Sequence, residues 1–219
     1  MAKSPVSHPL FARGYARLRP AMDAGGVGEH RRELLAELTG RVIEVGAGDG
    51  GNFAHYPGEV SGVLAVEPEA YLRRRAAEAA AVAPVPVTVT AGVAEHIPAA
   101  TDSFDAAVAF LVLCSVADPR AALGELHRVL RPGGQLRFFE HVQADAPGLR
   151  RIQRVLDATV WPLLAGGCHT GRDTVAAIDE TGFRIDRLTP LRFPDARVAL
   201  PTTPHVLGLA TRLPREEKR

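Results

Sequence analysis

Short apolar runs alternate along the chain with segments whose apolar residues recur every three or four positions. The runs Arg41 to Val45, Val63 to Val66, Pro86 to Thr90, Ala106 to Leu111 and Gln135 to Glu140 predict five strands. Between them, Ala70 to Val82 is rich in Ala, Arg and Glu, and Pro119 to Leu130 carries Ala122, Leu123, Leu126, Val129 and Leu130 at helical spacing. Both predict helices, and Gly28 to Leu38 predicts another ahead of the first strand. Strands alternating with helices specify a parallel sheet covered by helices. After the fifth strand the pattern changes. Pro147 to Leu164 predicts a helix bearing Leu149, Ile152, Val155, Leu156, Trp161 and Leu163, and Thr174 to Thr181 a short helix closed by Gly182. Phe183 to Leu188 and Pro204 to Ala210 predict two last strands, for seven in all, and the charged tail Arg212 to Arg219 is expected to fray.

Composition narrows the function classes. A formal net charge of +1 argues against a nucleic-acid partner, which would call for a basic face. The longest apolar stretches are strand-sized, so no membrane span is expected, and Met1 to Pro5 lacks the apolar core of a signal peptide. The 2 cysteines, Cys114 and Cys168, make no disulfide framework and no CxxC pair, which suits a reducing, cytoplasmic setting.

The first strand runs into Gly46-Ala47-Gly48-Asp49-Gly50-Gly51-Asn52, followed by a helical Phe53 to Tyr56. Glycines at a strand-to-helix turn let the backbone bend sharply and let a ligand approach the main chain. Alone, the turn suits dinucleotides equally well. Three neighbours add to it. Glu44 precedes the turn, placed either to order the loop or to accept from a cationic ligand. Glu67 follows the second strand, where a carboxylate accepts from both hydroxyls of a ribose. Ser103-Phe104-Asp105 opens the fourth strand, and Arg131-Pro132-Gly133-Gly134 turns into the fifth.

With Val42 to Gly50, Ala65-Val66-Glu67-Pro68, Ala94 to Pro98, Ser103 to Asp105 and Arg128 to Gly134, the chain resembles the class I S-adenosylmethionine-dependent methyltransferases over about 30–142. The resemblance implies a single α/β domain, 1–219, with a Rossmann-like, seven-stranded, mostly parallel sheet, helices on both faces and a helical lid. Within it, 1–25 is an N-terminal cap, 26–142 the cofactor-binding half and 143–212 the substrate cover with the last strands. S-adenosylmethionine is the implied cofactor. Gly46, Ala47 and Gly48 would approach its methionine part, with Asn52 and Glu44 beside them. Glu67 and Pro68 would meet the ribose, while Ala94, Glu95 and Leu111 flank the adenine. Tyr15 matches the place where related enzymes bring an N-terminal helix over the cofactor; its hydroxyl either reaches the methionine end or simply packs. Many members carry Asp where this chain has Val93, so adenine recognition falls to backbone groups or to another side chain such as Glu95.

Further along, Asn52 to Pro57, Leu113-Cys114-Ser115-Val116, Glu140-His141-Val142, Gln153, Trp161, Gly167-Cys168 and Arg172-Asp173-Thr174 resemble the thiol S-methyltransferase-like branch of this fold, over about Phe11 to Phe183. The mammalian members of that branch have an apolar anchoring N-terminus that this chain does not show. The implied acceptor is the thiol of a small apolar molecule; alternatives are C- or O-methylation of a quinone, phenol or lipid-like molecule, or a non-catalytic cofactor-binding accessory role. Only a few per cent of a thiol is ionised near neutral pH, so a base with a pKa near 7 helps, and His141, at the carboxyl end of the fifth strand, is the first candidate. Its other reading is a structural histidine. Glu140 either orients His141 or points to the opposite face. Cys114 reads as a small buried hydrophobe and Cys168 as structural, and no metal site is expected from ligand spacing. Trp161, His169 and Arg172 are candidate substrate contacts. His169 is a weaker alternative base, and Arg172 either meets a substrate carboxylate or holds the fold.

Overall fold

The computed structural model describes residues 8–194 and 200–213. The reading of Met1 to Pro5 and the outer tail, 214–219, lie outside the described residues. Seven strands form one sheet: β1 (Gly40–Val45), β2 (Val60–Val66), β3 (Val87–Thr90), β4 (Phe104–Phe110), β5 (Leu130–His141), β6 (Phe183–Arg192) and β7 (Pro204–Arg212). Their order is β3-β2-β1-β4-β5-β7-β6, with β7 antiparallel to both its neighbours and the first five strands parallel. Strand order reverses between β1 and β4, which opens a crevice at their carboxyl ends.

The central strands β1, β4 and β5 are buried on both faces, and their side chains alternate between two apolar layers. Ile43, Val45, Ala107, Ala109, Leu136 and Phe138 enter one layer with α4 (Pro119–Val129) and α7 (Thr174–Glu180). Val42, Ala106, Val108, Phe110 and Phe139 enter the other, against α2 (Gly28–Leu35). Helix α4 starts where Asp118 accepts from the N–H groups of Arg120 and Ala121, with Pro119 in its first turn. Leu123 and Leu126 are 0% exposed, so each Leu→Ala change is worth about 2–5 kcal/mol. Helix α3 (Ala70–Ala80) packs on β3, and α1 (Pro9–Met22) packs on α3 and reaches the turn after β1 through Arg19 and Asp49. Among the described residues no helix is long and apolar enough to cross a membrane.

Three expectations change. The helix expected over Pro147 to Leu164 is two pieces, α5 (Pro147–Asp157) and α6 (Trp161–Leu164), broken at 158–160. Pro162 lacks an N–H and disfavours helical backbone in the residue before it, so a continuous ladder cannot pass. The helix expected over Gly28 to Leu38 ends at Leu35, where Ala36 turns extended at ψ 143°. Arg212 does not fray; it ends β7, buried, with its guanidinium on Asp102 and the Leu130 carbonyl.

Candidate active site

The glycine turn leaves β1 through three residues of positive φ: Gly46 (61°), Gly48 (59°) and Gly50 (82°). Glu67, at the end of β2, holds it from the side. One carboxylate oxygen accepts from the Gly48 N–H at 2.8 Å and the other from the Glu69 N–H at 2.8 Å. Burial raises Glu67 to a pKa of about 7, against the pull of these two donors. Each oxygen keeps a further lone pair for a ligand hydroxyl.

Glu44 points beneath the turn, with both oxygens bonded there. It accepts from Asn52 Nδ2 at 2.9 Å and from the Tyr56 hydroxyl at 2.6 Å, and burial lifts it to about 7. From Asn52 the network continues into the N-terminal cap. Arg31 donates to Asn52 at 2.7 Å and to Asp23 at 3.0 Å; Arg19 bridges Asp23 and Asp49, both at 2.7 Å. Tyr15, half-buried, lies so close over Gly48 that a Cβ there would touch its ring at 3.4 Å. The cap is thereby tied to the turn by charge, a link the strand pattern did not announce. Arg19, Asp23 and Arg31 are spaced along two helices, and only their meeting at Asp49 and Asn52 gives them a role. Removing Arg31 strands a buried charge partner. We expect Arg31→Ala to destabilise the protein by about 3 kcal/mol in urea unfolding. A change under about 0.5 kcal/mol would mean that the network is not coupled to the fold.

Asp49 carries an unmatched atom. Its Oδ1 is buried and has no hydrogen-bond partner among the described residues, while Oδ2 takes Arg19. A buried acceptor of this kind suits a cationic ligand group.

On the far side of the crevice, Leu111 holds a φ of 58°, rare for a residue with a side chain. Ala94 is buried, and Val93 bridges to His96. Glu95 is turned to the chain itself: its carboxylate accepts from the N–H groups of Ala117 (2.8 Å) and Asp118 (3.3 Å). Pro68 is half-buried, with its carbonyl bonded by Arg73 at 3.0 Å.

The carboxyl ends of β4 and β5 carry the third cluster. Glu140 is 0% exposed and accepts three backbone N–H groups, from Val112 (2.8 Å), Leu113 (2.9 Å) and Cys114 (3.1 Å). Burial raises it to about 7 while those donors oppose the rise. Of its two readings, the one that turns it away from His141 is what the strand's alternation produces. An acidic residue closing an apolar strand was the signal for this role. His141, half-buried, places Nδ1 3.5 Å from Cys168 Sγ, and Cys168 Sγ lies 3.7 Å from Cys114 Sγ. Hydrogen bonding from Cys114, and then His141, hold the Cys168 thiol below its usual range; Cys114 is correspondingly raised. The His141 ring packs at 4.3 Å on His205, which burial depresses to about 3.

Cys114, His141 and Cys168 come from three separate elements, each 27 residues from the next, so spacing carried no hint of their meeting. Helix α5 and the 165–172 loop are pinned beside them. Gln153 of α5 accepts from Ala144 N and donates to the carbonyls of Val142, Thr170 and Pro201. Arg172 donates to the Leu113 carbonyl at 2.7 Å and lies 3.0 Å from His169, whose own backbone N–H bonds the Cys114 carbonyl. Arg172 is thus held by the fold. The Trp161 indole N–H is buried without a hydrogen-bond partner among the described residues, while Val160, Leu163 and Leu164 leave apolar surface exposed beside it.

Comparisons with known proteins bear on the family and the fold. A family model described as a methyltransferase domain matches residues 43–138. The rat thiol S-methyltransferase TMT1B is 36% identical over 93% of this chain and 83% of its own length. Human thiol S-methyltransferase TMT1A is 34% identical over 83% of this chain and 78% of its own. A C-methyltransferase of ubiquinone and menaquinone biosynthesis from Syntrophotalea carbinolica is 30% identical over 62% of this chain. Among solved structures, an S-adenosylmethionine-dependent methyltransferase from Mesorhizobium loti shares the fold at a TM-score of 0.61 and 23% identity, covering 84% of this chain and 96% of that one. The [4+2]-cyclase SpnF shares it at 0.69 and 18%, covering 97% and 99%. The glycine turn, the carboxylate after β2 and kinship along most of the chain converge: this chain is an S-adenosylmethionine-dependent methyltransferase and belongs to the thiol S-methyltransferase family.

Proposed function

We propose that this enzyme methylates the thiol of a small apolar molecule. The observation that supports this most is the cleft end of β4 and β5. There His141 stands half-exposed among two sulfur atoms, next to a lid with apolar surface. Bound in the crevice, S-adenosylmethionine supplies a methyl group on a positively charged sulfur. Gly46, Ala47 and Gly48 admit its methionine part, and Asp49 Oδ1 and Tyr15 face the charged end. Glu67 takes the ribose hydroxyls, with Pro68 beside it; Ala94, Glu95 and Leu111 frame the adenine through backbone and apolar contact. Glu44 and Asn52 act by holding the turn in shape. Trp161 walls the acceptor, and His169 and Arg172 shape that wall. His141 receives the acceptor's proton when no cation is bound, in line with a methyl whose approach excludes water. The whole chain serves as one domain, with 143–212 as cover, in a cytoplasmic setting that keeps both cysteines reduced.

Labelled S-adenosylmethionine incubated with alkyl thiols, aryl thiols, phenols and quinols tests the acceptor. We expect label on thiols. Label on phenols or quinols and on no thiol would overturn the reading.

The carboxylate of Glu67 gives a separate handle. Ribose hydroxyls donate to its ionised form, and its pKa is about 7. Below that value binding must first remove a proton. Affinity for S-adenosylhomocysteine is therefore expected to rise about tenfold from pH 6 to pH 8. In calorimetry Glu67→Gln should lack that component of the slope; an identical slope in both proteins would exclude Glu67 as its source.

A further inference from the structure

The two thiols and the imidazole at the end of β5 have the dimensions of a metal site. Zinc takes thiolate at about 2.3 Å and imidazole at about 2.0 Å, in a tetrahedron. The edges of such a tetrahedron are about 3.8 Å between two sulfurs and about 3.5 Å between sulfur and nitrogen. Here the Cys114 and Cys168 sulfurs are 3.7 Å apart, and Cys168 Sγ is 3.5 Å from His141 Nδ1. The remaining pair, Cys114 and His141, falls within the 4.8 Å that bounds the set. We propose that Cys114, His141 and Cys168 form a three-ligand site for a soft divalent cation such as Zn²⁺, with the fourth position open to the acceptor thiol.

Each ligand is held in place before any cation arrives. Cys114 is fixed through its N–H on Glu140 and its carbonyl on the His169 N–H. His141 ends a strand and packs on His205. Cys168 follows Gly166 and Gly167, whose φ values of 61° and 89° set the bend that turns it inward. Both cysteines are buried and His141 is half-buried, so solvent reaches the set at His141. A second observation points the same way. The Trp161 indole N–H, beside the Cys168 thiol, is buried with no hydrogen-bond partner among the described residues. A metal-bound thiolate keeps a lone pair for such a donor, as ligands in metal sites commonly do. Soft thiolates together with imidazole select zinc over magnesium or calcium.

The open position deepens the proposed function, and rests on it only for what fills that position. A thiol that coordinates the cation releases its proton to solvent and stays ionised at neutral pH. His141 then serves as ligand instead of base. The sulfur attacks the methyl carbon, the bond from that carbon to the sulfonium sulfur breaks, and its electron pair stays with the departing thioether.

Cobalt reports the site without reference to activity. The full chain is reduced, stripped with chelator and titrated with Co²⁺. We expect sulfur-to-cobalt charge-transfer absorption that saturates at one equivalent and is displaced by Zn²⁺. Cys114→Ser and Cys168→Ser should each weaken Zn²⁺ binding by about 100-fold or more, whereas the exposed His96→Ala should leave it intact. Calorimetry with S-adenosylhomocysteine confirms that each variant is folded. No charge-transfer absorption in the reduced protein, or absorption that survives both cysteine changes, would overturn the site. Hexanethiol should shift the cobalt spectrum; an unshifted spectrum overturns the open position. The two readings fail separately. Methylation confined to phenols alongside intact cobalt absorption removes the thiol acceptor and keeps the cation site. Undiminished thiol methylation by a protein that binds no cobalt does the reverse.

Discussion

Glu140→Gln is expected to lower the melting temperature by roughly 6–12 °C and thiol methylation by more than about 100-fold. The reason is local arithmetic. Two carboxylate oxygens accept the N–H groups of Val112, Leu113 and Cys114 in a fully buried place. An amide offers one oxygen and sets an NH2 against a donor. One charge-assisted bond is lost and one buried N–H is left unmatched, together about 3 kcal/mol. The damage is not confined to stability. The three residues run from the cofactor turn to the sulfur cluster: Val112 backs Gly46, and Cys114 is the first thiol. Cobalt absorption in Glu140→Gln should fall along with the melting temperature. If both stay at wild-type values, the 112–114 segment holds its shape without the carboxylate.

Gly46→Ala is expected to weaken S-adenosylhomocysteine by about 100-fold in calorimetry, from two causes that act together. At φ 61° a side chain costs roughly 1–2 kcal/mol. The new Cβ would also stand 2.4 Å from Cγ2 of Val112. Val112 is short, branched and tied by its N–H to Glu140, so it cannot swing aside as a long side chain does. Adding Val112→Ala removes the clash and leaves only the backbone cost. The double variant should therefore bind more tightly than Gly46→Ala alone, a coupling of the kind contacting residues show. Additive losses would place the damage wholly in the backbone.

Much of the fold was readable because the signals are local. Ile43 and Val45 alternate with Val42 and Glu44, so the chain announced a strand whose faces are both covered. Glycines at the end of β1 announced the turn, and Glu67 the carboxylate beside it. The 147–164 segment was less legible. Its apolar spacing ran unbroken to Leu164, and the single proline that interrupts it was outweighed by the periodicity. Glu95 and Arg172 were legible as chemistry but not as to use, since both spend their charge on backbone groups remote in sequence.

What the amino-acid order settled by itself was therefore the sheet, the cofactor turn and the family, each encoded in neighbours a few positions apart. What only the tertiary structure decided was the partnership of distant residues. Arg31 meets Asn52, Glu140 meets the 112–114 backbone, and Cys114, His141 and Cys168 meet one another. Periodicity says which face a side chain takes, yet it holds no information on which other element will close over that face. That is set when β4, β5 and the 143–172 segment pack together, and the two cysteines that looked inert one at a time are brought face to face there.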